Sequence, residues 1–399
     1  MIVGGGHFCQ MQDRGARVKI LIAAGAFKQS LTAAQACTVI ARGLRESGLD
    51  AELLRLPIAD GGNGTLDAFL ATGGERVTTP ALDPLLRPIQ ADYGLIDGGR
   101  TAVIEMALAS GLELLARDEL DALSASSFGA GQLMMAALER GARRFIIGLG
   151  GSATTDGGMG CLQALGARLL DANGQELPPG IGGGELGEIA QIDASGLDER
   201  WRAAQIIIAS DVDNPTLGEY GAAHIFSPQK GADAGQVALL ERALRHCFTL
   251  IHEQRGVDLR QAPGGGAAGA FAAGLLAFFN CELTSGIELM LRHNGFRDKL
   301  SGCALVVTGE GKLDAQTLSG KAPLGVARLA ADYGVPTIAM CGGLAIDEAE
   351  LRAAGVAAAL PIVDAPMNLE AALDDAAGLL QRAARRLGYL LALRSEEAG

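Results

Sequence analysis

Val18-Lys19-Ile20-Leu21-Ile22-Ala23-Ala24 is an apolar run that stops at Gly25, and Thr32 to Glu46 follows with Val39, Ile40 and Leu44 at helical spacing. Thr32 and Gln35 form a capping box for that helix. A second strand, Ala51 to Ile58, runs into Asp60-Gly61-Gly62-Asn63-Gly64-Thr65, and Leu66 to Ala71 then opens another helix. Strand, helix, strand, glycine loop and helix is the order of a parallel sheet with crossover helices. The same order returns near the C-terminus. Ala304-Leu305-Val306-Val307 reaches Thr308-Gly309-Glu310-Gly311, a helix spans Pro323 to Tyr333, and strands are predicted at Pro336 to Met340 and Val356 to Ile362. Two strands from one end of the chain and three from the other make five, the number in a flavodoxin-like doubly wound sheet.

Working outward, the two ends of the chain are expected to form one discontinuous α/β domain, 18–80 with 289–395. The stretch 81–288 carries strands of its own at Arg87 to Leu95, Thr101 to Met106, Phe145 to Leu149 and Gln205 to Ala209, and reads as an inserted mixed α/β domain. A cleft between two such domains is the default place for a ligand. Met1 to Arg17 has no apolar core segment of the kind a signal peptide needs, and reads as a disordered extension.

Composition narrows the function classes. Glycine fills 57 of 399 positions, about twice the usual share of roughly 7%, while 49% of the residues are hydrophobic and only 13 are proline. Low complexity and collagen are both excluded, which leaves tight turns, close backbone approaches or phosphate-cradling loops. The net charge of −13 without a basic block argues against nucleic acid or an anionic membrane as partner. Seven scattered cysteines with no CxxC indicate neither a disulfide framework nor a zinc site, and suit a reducing cytoplasm.

The densest local signal is Phe145-Ile146-Ile147-Gly148-Leu149-Gly150-Gly151-Ser152-Ala153-Thr154-Thr155-Asp156-Gly157-Gly158, with a helix expected from about Met159 to Leu170. Amides of a glycine loop at a helix start favour phosphate, so Gly150, Gly151, Ser152, Thr154, Asp156 and Gly157 are nucleotide candidates. Asp156 could equally hold a metal or cap the helix. Asp211 and Asp213, two residues apart beyond the apolar Ile206-Ile207-Ile208-Ala209, could share a cation; one could instead orient a hydroxyl while the other accepts a proton. An Asx-turn before Pro215 is the plainer account of the same residues. Gly264-Gly265-Gly266-Ala267-Ala268-Gly269 spells GxGxxG without a strand before it, so it is no dinucleotide fingerprint, although Gly266 and Gly269 could still offer amides. There is no GxxxxGK[ST], and no serine-nucleophile elbow. Lys28, Lys230 and Lys321 stand in loops where a point cation could meet phosphate or carboxylate.

Together these blocks resemble the bacterial glycerate kinase family that makes 2-phosphoglycerate. The likeness runs through Ala59-Asp60-Gly61-Gly62-Asn63-Gly64-Thr65, Val103-Ile104-Glu105-Met106-Ala107, the 147–158 loop and Asp211-Val212-Asp213-Asn214-Pro215. It continues through Pro228-Gln229-Lys230-Gly231-Ala232, Gly266-Ala267-Ala268-Gly269 and Thr308-Gly309-Glu310-Gly311 with Asp314, Gln316-Thr317 and Gly320-Lys321. The resemblance implies ATP-dependent phosphorylation of D-glycerate with a divalent cation, usually Mg²⁺, in a cleft between a flavodoxin-like domain and an inserted one; a homodimer is left open as the assembly. The resemblance also implies Asp213, Asp211, Lys28 and Asp60 as catalytic, Asp211 and Asp213 as cation ligands, and Lys28, Asp60, Thr65, Glu310, Asp314 and Lys321 around the substrate. Two departures stand out. The family pattern after the first strand is Ala-Pro-Asp-Ser-Phe-Lys, where this chain has Ala23-Ala24-Gly25-Ala26-Phe27-Lys28, and Asn63 stands where the pattern has glutamate. The loss of two carboxylates leaves room for a weakened paralogue that binds nucleotide or hydroxy acid, or for a kinase of a related hydroxy acid.

Overall fold

The computed structural model describes residues 17–27, 29–314, 317 and 322–396. The expected extension up to residue 16, together with Lys28 and Lys321, lies outside the described residues. Arg17 is described, and its exposed guanidinium is 2.9 Å from Asp50.

Among the described residues the strands are β1 (Val18–Ala24), β2 (Ala51–Arg55), β3 (Glu75–Leu82), β4 (Pro88–Ile96), β5 (Thr101–Glu105), β6 (Arg144–Gly148), β7 (Arg168–Leu170), β8 (Gln191–Asp193), β9 (Gln205–Ala209), β10 (Cys281–Thr284), β11 (Cys303–Leu313), β12 (Thr337–Leu344) and β13 (Val356–Pro361). They fall into two compact units. One takes the described residues up to Asp60, Asp67–Thr72 and those from Ile287 on; the other takes Gly61–Leu66 and Gly73–Gly286.

The sheet of the first unit has the order β13-β12-β11-β1-β2, parallel throughout. Counted along its own strands this is 2-1-3-4-5, the flavodoxin-like order, with the direction of winding reversing between β1 and β11. Met340 of β12 belongs to the core under the helices Ala33–Glu46 and Ala376–Glu396, with Ile22, Ile40, Leu44, Val307 and Leu380. Its neighbours Ala339 and Cys341 belong to the opposite core, with Leu324 and Leu351 of the helices Ala322–Asp332 and Glu348–Ala353. That alternation is what a strand covered on both faces requires. The Thr32 capping box is present, with Gln35 N–H donating to Thr32 Oγ1 and Thr32 N–H to Gln35 Oε1.

The second unit is built on a six-stranded mixed sheet, β10-β9-β6-β5-β4-β3. β5, β6, β9 and β10 are parallel, and β3 and β4 add an antiparallel edge. Ile104, Phe145, Ile147, Ile206, Ile208, Trp201 and Phe271 are buried in its core.

Several elements differ from their sequence-based expectation. The boundary at 80 falls inside β3, which pairs along its length with β4. The helix expected to run from Met159 to Leu170 stops at Ala164, because Gly166 takes φ +107° and the chain re-enters as β7. β2 ends at Arg55, yet Leu56 and Ile58 N–H still reach Ile22 O (2.8 Å) and Ala24 O (3.2 Å), with Pro57, which has no donor, between them. Gly309-Glu310-Gly311 is strand rather than loop, since β11 keeps pairing with β12 as far as Leu313 opposite Leu344.

Candidate functional site

The parallel strands of the second unit end in one row. Glu105 pairs with Gly148, Gly148 with Ala209, and Ala209 with Thr284. The 149–158 and 210–215 loops leave from this row at the carboxyl ends of their strands, the edge where open α/β sheets bind ligands.

The segment 61–66 lies on the first of these loops. Gly150 N–H donates to Gly61 O at 2.9 Å, and a Cβ on Gly150 would stand 2.4 Å from Gly62 Cα. The Glu105 carboxylate, almost wholly buried, organises that segment: Oε1 accepts from Gly64 N–H at 3.0 Å and Oε2 from Leu66 N–H at 2.9 Å. Thr65 is buried too, with its hydroxyl donating to Gly62 O at 2.6 Å, so it shapes the loop from within. On the other side of the 149–158 loop lies the 264–270 segment. Gly157 N–H donates to Gly269 O and Gly266 N–H to Asn214 O, both at 3.0 Å. Ala268, Gly269 and Ala270 all have positive φ, a left-handed turn at the start of the helix Ala267–Phe278.

Asp156 is fully buried, and its carboxylate accepts from Ser127 N–H (2.8 Å), Ser127 Oγ–H (2.6 Å), Gly158 N–H (3.1 Å) and Gly160 N–H (3.3 Å). Burial pushes its carboxyl upward, against the lowering effect of those donors. Of the two sequence-based alternatives, capping is the one observed: the amides at the start of the helix Met159–Ala164 are taken by Asp156. Thr154, Gly157, Gly266 and Gly269 are buried as well, and Ser152 is nearly so. What the loop turns outward is its tip, Gly150–Gly151, and the Gly151 N–H meets no acceptor among the described residues.

Beneath that tip lies Lys230, at the end of the 3₁₀ turn Pro228–Lys230 and 2% exposed. Its Nζ donates to Thr154 O at 2.6 Å and to Ser152 Oγ at 3.2 Å. Burial pulls its pKa down to about 7, with the Asp156 charge acting in the opposite direction.

Beyond β9, Asp211 is half-buried and its Oδ1 accepts from Gly286 N–H at 3.0 Å, whereas Asp213 is exposed. Among the described residues no three His, Cys, Asp or Glu side chains gather to hold a metal ion. Magnesium shared with a nucleotide needs only one or two carboxylates, the phosphates and water supplying the rest, and Asp211 with Asp213 fits that donor set.

In the first unit the candidates stand at the β1–β11 reversal. Gly25 N–H donates to Gly309 O at 2.9 Å, extending the ladder one step past β1. Glu310, half-buried, accepts from Thr317 Oγ–H at 2.8 Å, and Thr317 Oγ1 in turn accepts from Asp314 N–H at 3.1 Å. Lys312 is 3.4 Å from Asp314. Asp60 is half-buried in the same unit.

Glu105 and Thr317 are the residues that the sequence reading quoted without a role, and Lys230, read as a loop cation, is buried beneath the loop instead. The available signal was an acidic residue ending a buried strand for Glu105, and a lysine flanked by Pro228 and Gly231 for Lys230.

Among the described residues, no helix is long and apolar enough to cross a membrane. The family model described as the glycerate kinase family matches residues 20–392. The chain is 42% identical to the glycerate 2-kinase of Escherichia coli K12 over 383 residues, which is 96% of this chain and all of that one. It is 42% identical to the glycerate kinase of Bacillus subtilis 168 over 94% of this chain and 98% of the relative. A crystal structure from Salmonella typhimurium LT2, provisionally described as glycerate kinase 2, superposes with a TM-score of 0.82 at 41% identity, covering 96% of this chain and all of that one. The row of strand ends, the glycine loops resting on it and a likeness that spans both units lead to one statement: this chain belongs to the glycerate kinase family.

Proposed function

We propose that the chain is an ATP-dependent kinase that phosphorylates D-glycerate on its secondary hydroxyl, giving 2-phosphoglycerate. The observation that carries this reading is the pairing, on one row of strand ends, of an outward-facing glycine tip at Gly150–Gly151 with the carboxylates Asp211 and Asp213. A backbone amide free to meet an anion and acidic groups able to share a cation with phosphates are what phosphoryl transfer needs, because catalysis there is mostly positioning and charge neutralisation.

In this reading the Gly150–Gly151 tip receives phosphate, while Thr154, Asp156, Gly157, Gly266 and Gly269 hold it in shape from beneath. Asp211 would hold Mg²⁺ together with the phosphates and water, and the ion would neutralise phosphate charge, which leaves Asp213 as a base. The glycerate hydroxyl oxygen attacks the γ-phosphorus, the bond from that phosphorus to the β–γ bridging oxygen breaks, and the hydroxyl proton passes to Asp213, the exposed carboxylate of the pair. Lys28, Asp60, Glu310, Asp314 and Lys321 are the substrate-side candidates, the lysines as countercharge to carboxylate or γ-phosphate. A cytoplasmic location suits the scattered cysteines, and the exposed Tyr389, Leu390 and Leu393 of the C-terminal helix suit a homodimer, which light scattering tests.

A steady-state assay with ATP, Mg²⁺ and D-glycerate decides the activity, with phosphorus NMR of the product deciding the position. Asp213→Asn is expected to lower kcat by about 100-fold or more. A well-folded chain without turnover, rescued by the double change Gly25→Asp/Asn63→Glu, would transfer the assignment to a weakened paralogue. A cheaper acceptor screen of other hydroxy acids tests the related-substrate reading.

A further inference from the structure

Lys230 poses a problem that the loop alone does not solve. An ammonium buried to this degree loses most of its hydration, and proteins normally offset that with a paired carboxylate. Among the described residues no carboxylate lies within 4.0 Å of Lys230 Nζ; its two hydrogen bonds go to neutral groups, Thr154 O and Ser152 Oγ. Both acceptors belong to the segment just past the exposed Gly151, whose N–H has no acceptor among the described residues. A cation without a close counter-ion, placed beneath a loop tip that presents an amide outward, is arranged for an anion on the other side of that tip.

We propose that Lys230 is the positioning residue of the nucleotide site: through Ser152 and Thr154 it holds the 151–154 tip, and its buried charge draws phosphate to the tip's outer face. The inference rests on the reading that this tip binds phosphate. It adds that the binding charge comes from inside the unit rather than from a surface lysine. It also explains how a chain of net charge −13 can attract a polyanion at this point.

Protonation provides a readout that a merely structural lysine would not give. With its pKa drawn down to about 7, Lys230 is mostly neutral in the free protein at pH 8. An anion above the loop favours the charged form, so nucleotide binding takes up a proton. Asp156 is the titratable group whose charge acts on Lys230 from the same loop, and the same anion would favour its protonation. Lys230→Arg separates the two, because a guanidinium is charged throughout.

The experiment is calorimetric titration of the full chain with the non-hydrolysable ATP analogue AMPPNP and Mg²⁺ at pH 8, in buffers of different ionisation enthalpy. It is accompanied by KM values for ATP and for D-glycerate. The wild-type chain is expected to take up part of a proton per nucleotide, and Lys230→Arg to bind with less uptake. Lys230→Met is expected to bind about tenfold or more weakly, as for loss of a charge-assisted contact, with the KM for D-glycerate within about twofold. Wild-type affinity and unchanged proton uptake in a folded Lys230→Met would overturn the role of Lys230 while leaving the kinase reading in place. If that variant does not fold, absence of proton uptake by the wild-type chain overturns the inference by itself. No AMPPNP binding by the wild-type chain overturns the kinase reading and this inference together.

Discussion

Two glycines at the ends of parallel strands look equivalent in the sequence and are not equivalent in the structure. Gly150, past β6 in the second unit, is pressed against another backbone: a Cβ there would reach Gly62 Cα at 2.4 Å. Gly25, past β1 in the first unit, has ordinary φ, and a Cβ there would meet its nearest neighbour, Gly309 O, at 3.5 Å. The first glycine is required by packing; the second is a choice of side chain. Packing imposes glycine in both units, as at Gly43, whose Cβ would stand 2.3 Å from Gln381 O, and Gly309, 2.4 Å from Met340 O, whereas Gly25 is not such a position. The same contrast separates shape from chemistry, because a position where a side chain fits is one where chemistry can be added or removed without refolding the site.

The contrast is broken most severely where a close backbone contact and a positive φ coincide. Gly269 has φ +67° and its Cβ would stand 2.2 Å from Thr154 O, so Gly269→Ala adds left-handed strain to a collision with backbone. A loss of about 4 kcal/mol or more is expected, read as a large fall in melting temperature or as failure to accumulate folded protein. Gly150→Ala lacks the positive φ, and its expected cost is about 3 kcal/mol. Near-wild-type melting of both variants would mean that the loops do not rest on each other as described.

Next comes the carboxylate that holds the upper loop. Glu105→Gln keeps the shape of the side chain but turns an amide –NH₂ toward Gly64 N–H or Leu66 N–H, leaving one buried donor facing another. The expected loss is about 1–3 kcal/mol, with faster amide exchange at Gly64 and Leu66 as the local signature. Glu105 also shows where sequence reading stops. The five strands of the first unit were legible because each is a short apolar run bounded by turn residues, and their order followed from the strand–helix alternation. The carboxylate's partners, by contrast, lie 39 and 41 residues away in the chain, and those of Lys230 lie 76 and 78 away. No local pattern reports such pairings. Gly309–Gly311 misled for a related reason: glycine signals a turn when read alone, and only the partner strand β12 shows that this segment continues the sheet.

A pH-dependent effect tests whether the second unit carries a strained charge. Lys230 has a folded pKa of about 7 against 10.5 for a free lysine. Between these values the unfolded chain binds more protons at this group than the folded one, so its contribution to stability rises with pH and is most unfavourable below about 7. The melting temperature of the ligand-free wild-type chain relative to Lys230→Met is therefore expected to improve from pH 7 to pH 10. A difference that stays constant over that range would show that the ammonium is not desolvated.

The smallest effect, and the sharpest test of the opening contrast, is Gly25→Ala. The backbone there already lies where alanine is comfortable, and the space for a Cβ exists. The folded state therefore gives up little, while the unfolded chain loses freedom. The expected change is a gain of about 0.5 kcal/mol, opposite in sign to Gly150→Ala. Because the added methyl carries no charge, the kinetic constants for ATP and D-glycerate should stay within about twofold of wild type. A change of that size needs paired chemical-denaturation curves with a common slope rather than a single melt. If Gly25→Ala instead destabilises the protein as much as Gly150→Ala does, the space beside β1 is not available to a side chain, and the absence of a carboxylate at this position has a steric origin.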